Sequence, residues 1–193
     1  MIISILKRRI HIVEPKPQNA FAVWVTGLPA SGKSTLVRSL KAQLADRGID
    51  VAVLESDALR ENLTVRPHYD EQEREAFYRQ MVYIGRLLIQ YGVPVIFDAT
   101  ANRRQYRDQA RSEILRFIEV YVDCPLEICI ARDPKGIYRK ASEGKANTVP
   151  GLQSHYEPPE KPDVVVDGVR ELPETAARRV MIKLADKKYL NNG

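Results

Sequence analysis

The sequence predicts an α/β protein with a five-stranded parallel sheet and helices on both faces. Two patterns predict it. Short runs rich in Val and Ile, apolar at nearly every position, alternate with longer segments whose apolar residues recur every three or four positions. The first pattern suits strands covered on both faces; the second suits helices laid over them. Such alternation builds a parallel sheet, because each strand returns through a helical crossover. A third observation is a glycine-rich turn between the first run and the first helix.

The elements follow in chain order. Residues 1–20 close on Pro15-Lys16-Pro17-Gln18-Asn19. Prolines break regular structure, so this segment is expected to be an extension ahead of a single domain at 21–193. Ala22–Thr26 is the first strand, bounded by Gly27. A helix is expected over 33–47 on the spacing of Leu36, Leu40 and Leu44, with Gly48 as its C-cap. Val51–Leu54 is the second strand. A long helix fits 71–91, its apolar positions being Phe77, Met81, Ile84, Leu88 and Tyr91, and it stops at Gly92. Val93–Phe97 is the third strand, with Asp98 at its carboxyl end. Arg103–Leu115 is expected to be helical. Phe117–Asp123 is the fourth strand, on its β-branched Ile118, Val120 and Val122. A short helix spans 125–132, Pro125 suiting its first turn. Val164–Val166 is the fifth strand and 171–189 a final helix. Residues 133–162 differ: they are polar, rich in Lys, Gly and Pro, and lack an apolar period.

Composition excludes several classes. The 193 residues suit one domain, and 44% hydrophobic with 28% charged is ordinary for a soluble protein. No apolar run approaches the roughly 20 residues of a membrane helix. Met1–Leu6 is too short for the apolar region of a signal peptide, so a cytoplasmic location is expected. Cys124 and Cys129 are expected to be free thiols. The net charge of +5 suits anionic ligands. Lys7-Arg8-Arg9 reads as part of an arm rather than a nucleic-acid hook, so neither nucleic acid nor membrane is an expected partner.

The turn carries the chemistry. Residues 27–34 read Gly-Leu-Pro-Ala-Ser-Gly-Lys-Ser, after a strand and at the opening of a helix. That context defines a phosphate-binding loop and, with the alternation of strands and helices, a P-loop NTPase fold. Gly27 and Gly32 let backbone N–H groups turn toward phosphate oxygens. Leu28, Pro29, Ala30, Ser31 and Thr35 complete the loop and the first helical turn, whose dipole favours an anion. Lys33 can reach the β- and γ-phosphates, and Ser34 can ligate Mg²⁺. The expected cofactors are ATP and Mg²⁺.

Other features point to a kinase. Asp57 and Asp98 follow the second and third strands, at the sheet edge where ligands of such folds bind. A carboxylate there can take a proton from an acceptor hydroxyl or orient Mg²⁺-bound water; the alternative is a helix cap by Ser56 or Asp57. Residues 133–162 have the makeup of a mobile lid, and Arg132, Lys135, Arg139, Lys140 and Lys145 supply cations. No guanine-reading Asn-Lys-x-Asp occurs.

Three stretches bring a resemblance. They are Phe117–Glu127, Ala131–Ala141 and Tyr156-Glu157-Pro158-Pro159-Glu160. With the loop, they make residues from about Val23 to Gly168 resemble the adenylyl-sulfate kinases, which phosphorylate the 3′-hydroxyl of adenosine 5′-phosphosulfate in sulfate assimilation. The resemblance implies that Asp57 lies near the acceptor hydroxyl as a catalytic residue beside Lys33. It implies that Arg60 and Arg74 hold the phosphosulfate, that Tyr69 packs on the acceptor's base, and that Arg132 lies over ATP. Phe77, Asp98 and Thr100 complete the expected acceptor side. Members often form dimers, so a homodimer is a possible assembly. The chain departs from the family at Glu55-Ser56-Asp57-Ala58, at Phe77, at Ala99–Arg104 and at Asn147-Thr148-Val149-Pro150-Gly151. The last change removes a Lys and an aromatic that clamp the acceptor, each worth roughly 1–3 kcal/mol. Two alternatives therefore stand: a kinase on the same scaffold for another small anionic, nucleotide or sugar acceptor, and a nucleotide-binding regulatory module without turnover.

Overall fold

A computed structural model of the chain describes residues 20–64 and 67–190. The expected extension, apart from Ala20, lies outside the described residues. The elements are β1 (Ala22–Thr26), α1 (Lys33–Ala45), β2 (Ala52–Glu55), α2 (Ser56–Leu63), α3 (Glu71–Gln90), β3 (Val95–Asp98), α4 (Arg104–Glu113), β4 (Phe117–Asp123), α5 (Leu126–Arg132), α6 (Ile137–Ser142), β5 (Val164–Asp167) and α7 (Pro173–Asp186). The five strands form one parallel sheet in the order β2-β3-β1-β4-β5.

Alternation along β1 explains the layers. Val23 and Val25 face a core shared with Leu36, Leu40 and Leu44 of α1 and Val180, Met181 and Leu184 of α7. Ala22 and Trp24 face the other core, with Phe77 and Met81 of α3 and Tyr106 and Ala110 of α4. Burial on both faces is why the strand contains no polar residue before Thr26. In the second core Trp24 stacks on Phe97 at 4.6 Å and donates its indole N–H to Ala99 O at 3.2 Å. That bond holds the chain leaving β3.

Two helices lie where the sequence showed no clear period. α2 begins at Ser56, directly after β2, and Glu55 at its N-cap makes no side-chain capping bond. Asp57 therefore sits in the first turn rather than serving as the cap. α6 lies within 133–162, set off by Asp133, whose carboxylate accepts from the N–H of Ile137 at 2.7 Å and of Arg139 at 2.9 Å. Six residues are too few to display a helical period.

Candidate active site

The phosphate loop joins β1 to α1. Gly27 has φ 151°, and a Cβ there would lie 2.6 Å from Val122 O and 2.8 Å from Ser31 Oγ. Only glycine fits. Gly32 precedes α1 at φ 108°, and no side chain caps the helix. Its first N–H groups are thus left for a ligand, in the place where the dipole favours negative charge. Ser31 is fully buried, and its Oγ has no hydrogen-bond partner. Lys33 bends back over the loop, its Nζ donating to Leu28 O at 2.8 Å.

Carboxylates line the opposite wall. Register places Glu55 beside Asp98 at the carboxyl ends of β2 and β3. Asp98 is buried, which raises its pKa, while a hydrogen bond from Ser34 and the charge of Lys33 pull it back down. Burial lowers the pKa of Lys33, and Asp98 and Asp57 oppose that shift. The lysine and the aspartate each offset part of the other's desolvation. From the segment before α6, Lys135 reaches Asp57 Oδ2 at 2.6 Å and Glu55 Oε1 at 3.4 Å, and the Asp57 hydrogen bond raises its pKa.

A further wall comes from the ends of α5 and β5. Arg132 donates to Gly168 O at 2.8 Å and lies 3.7 Å from Cys124 Sγ. A Cβ on Gly168 would meet Asp123 O and Ser31 O, both at 2.9 Å, so this turn closes against the phosphate loop itself. Asp167 shapes the turn by accepting from the N–H of Val169 at 2.8 Å and of Arg170 at 2.9 Å.

One cleft of about 810 Å³ gathers these parts. Pro29 to Thr35, Asp57, Asp98, Thr100 and Arg132 line it, whereas Gly27 and Leu28 do not. Glu55 and the residues Val169 to Leu172 also line it, and sequence reasoning missed both. The Asp167-Gly168 pair after β5 was the available signal, since loops at the carboxyl ends of strands form the site in these sheets.

The remaining expected residues form an adjoining cluster. Arg60 lies 3.9 Å over the Phe77 ring and 4.8 Å over Tyr69. It pairs with Glu73, which also accepts from the N–H groups of Tyr69 and His68. Arg74 donates to Tyr69 O at 2.8 Å, Thr148 O at 2.7 Å and Asn102 Oδ1 at 3.3 Å. Tyr69, at φ 58°, is exposed, while Phe77 is buried beneath Arg60. Phe77 therefore supports an arginine instead of offering an open face to a ligand.

A phosphate loop with a buried Lys, acidic residues across from it and a basic segment bridging the two defines a P-loop kinase. Comparison narrows the class. The family model described as adenylylsulphate kinase matches residues 19–167. The probable adenylyl-sulfate kinase of Pyrococcus abyssi is 38% identical over 170 residues, 88% of this chain and 98% of its own. The adenylyl-sulfate kinase of Microcystis aeruginosa is 34% identical over 174 residues, 90% and 96% of the two chains. The Mycobacterium tuberculosis APS kinase, solved with AMPPNP and APS, is 31% identical with a TM-score of 0.81 over 86% of this chain and 98% of that one. The chain belongs to the adenylyl-sulfate kinase family.

Proposed function

We propose that the protein transfers the γ-phosphoryl group of ATP to the 3′-hydroxyl of adenosine 5′-phosphosulfate, releasing ADP and 3′-phosphoadenylyl sulfate. The observation that carries this reading is the placement of Asp57. It faces the phosphate loop in the shared cleft, and Arg60 lies one turn further along the same helix.

The roles follow from position. The loop amides and Lys33 hold the β- and γ-phosphates, and Lys33 counters the charge that grows as the bond to the leaving oxygen breaks. For this, Lys33 exchanges its bond to Leu28 O for phosphate oxygens. Asp57 accepts a hydrogen bond from the acceptor hydroxyl and takes its proton as the new P–O bond forms. Arg60 and Arg74 bind the phosphosulfate, Tyr69 stacks on its base, and Arg132 with Val169 to Leu172 encloses the donor nucleotide. Ser34 and Asp98, which both line the cleft, offer the hard oxygen ligands that Mg²⁺ requires. Among the described residues no group of three His, Cys, Asp or Glu could hold a metal alone, so phosphate oxygens would complete the sphere. Bound there, Mg²⁺ would neutralise phosphate charge. Lys135 releases Asp57 when the acceptor arrives, and the segment around it, which already lines the cleft, covers the phosphates as part of a lid over 133–162 that excludes water.

We take residues 21–193 as one kinase domain acting in the cytoplasm, with assembly as a homodimer open to light scattering. Among the described residues, no helix is long and apolar enough to cross a membrane.

An assay of ADP release with ATP, Mg²⁺ and adenosine 5′-phosphosulfate tests the function. Turnover at background would end this reading. One observation favours a second: Val149, where the family has an aromatic, is buried against Cys124, Cys129 and Tyr138. It offers no stacking ring, so the same assay should be run with sugar and other nucleotide acceptors.

A further inference from the structure

Asn102 was not among the expected site residues, yet it joins the acceptor arginine to the lid. We infer that Asn102 is a positioning residue for the acceptor site, orienting Arg74 and anchoring the returning arm of the lid at the same time. The inference rests on the proposed role of Arg74.

Asn102 is buried, in the loop between β3 and α4. Its side-chain oxygen accepts from Arg74 Nη1 at 3.3 Å, and its side-chain nitrogen donates to His155 O at 3.1 Å. Its backbone O accepts from Glu157 N at 2.8 Å. Arg74 closes the circuit by donating to Thr148 O in the outgoing arm of the lid. A single amide therefore touches an acceptor-side guanidinium and the lid's return, and both its donor and its acceptor are used.

The loop is held from behind. Arg107, fully buried, donates to Glu119 at 2.7 Å, to Glu157 O at 2.6 Å and to Ala101 O. Ala101, at φ 41°, donates its N–H to Tyr78 Oη at 3.0 Å. With the preceding residue held at both its N–H and its carbonyl, Asn102 has little freedom to turn away. Arg74 in turn is restricted to a narrow range of directions, as a guanidinium that must meet an anion bidentately should be.

Two substitutions test the two roles. Asn102→Asp keeps an oxygen for Arg74 but loses the donor to His155 O. Asn102→Ala loses both. Loss of a hydrogen bond to a charged group predicts an acceptor KM raised about 10-fold in N102A, with the KM for ATP nearly unchanged. N102D also sets a negative charge beside Arg74 that competes with the anionic acceptor, so its acceptor KM should rise as well, again with the KM for ATP nearly unchanged. Both variants should speed hydrogen exchange across 148–157 in protein without acceptor. If Asn102 acts through Arg74, adding N102A to Arg74→Ala should raise the acceptor KM no further.

The test is steady-state kinetics with adenosine 5′-phosphosulfate and ATP on these four variants, together with hydrogen exchange. An unchanged acceptor KM in N102A overturns the inference. So does an equal rise in both KM values, or a double variant whose effects multiply. Failure of the wild type to turn over adenosine 5′-phosphosulfate would instead remove the proposed function. In that case the exchange measurement still decides the lid anchor: protection unchanged in both N102A and N102D refutes it, and faster exchange supports it.

Discussion

Asp57 and Cys129 show how environment sets what a side chain can do. Asp57 is exposed at the cleft and bound by Lys135, so removing it should leave the loop intact. Asp57→Ala is expected to lower kcat by at least ~10²-fold while ATP binding, measured calorimetrically, survives. Retained turnover would sink the assigned role. Cys129 is fully buried, which pushes its thiol up from 9.0 to about 12, with Cys124 adding to the shift. Native protein should therefore resist alkylation at Cys129 at pH 8, where the thiolate is scarce. The same shift has a sign for stability. Between pH 9 and about 12 the unfolded chain has lost this proton and the folded chain has kept it, so stability falls as pH rises through that window. Urea unfolding between pH 9 and 10.5 should show a steeper decline for the wild type than for Cys129→Ala, by at most ~1.4 kcal/mol per pH unit. Identical slopes would mean that the thiol titrates normally.

The contact of α3 with the sheet depends on one glycine. A Cβ on Gly85 would lie 2.2 Å from Phe97 Cζ, and that ring is itself stacked on Trp24. Alanine favours the helix by ~1 kcal/mol, but the clash in a packed core costs about 1–3. Gly85→Ala should therefore lower the melting temperature by several degrees; an increase would show that the ring moves freely. The join of α4 to β4 depends on charge. Arg107 and Glu119 pair at 2.7 Å with side chains 1% and 6% exposed. Among the described residues, Arg107→Met leaves Glu119 with Arg111, at 3.2 Å, as its one cationic partner, and should destabilise the fold by about 3 kcal/mol in denaturant unfolding. At this scale the sequence was legible wherever the chain carried a long apolar period. α1 and α3 match their expected spans to within two residues, because Leu36, Leu40 and Leu44, or Phe77 and Met81, mark a face. α2 carried no such mark. It buries an arginine, Arg60, so its inner face reads as polar.

Across the whole molecule, ligand binding and folding share one equilibrium. In the proposed site a nucleotide between the phosphate loop, Arg132 and the turn after β5 would bridge α1, α5 and α7. ATP with Mg²⁺ at 100 times Kd should stabilise the fold by ~2.7 kcal/mol, seen as a rise in melting temperature. Lys33→Met should shrink that rise and also lower the melting temperature of the free protein, because it leaves the buried Asp98 without its compensating charge and Leu28 O without its donor.

The sequence by itself determined the five strands and the helices that carry a long apolar period, the phosphate loop and the kinase family. Each of these rests on residues adjacent in the chain: the apolar runs, the spacing of Gly27, Gly32, Lys33 and Ser34, and the stretches around Phe117 and Ala131. Tertiary structure decided what residues far apart in the chain do together. Lys135 meets Asp57 across 78 positions, Gly168 closes on Ser31, and Phe77 supports Arg60 instead of facing a ligand. Asn102 reaches Arg74 and His155 because β3 ends beside α3 and the lid's return. Such contacts leave no local pattern, since sheet order and crossover geometry bring them together and neither is written in the spacing of neighbouring residues.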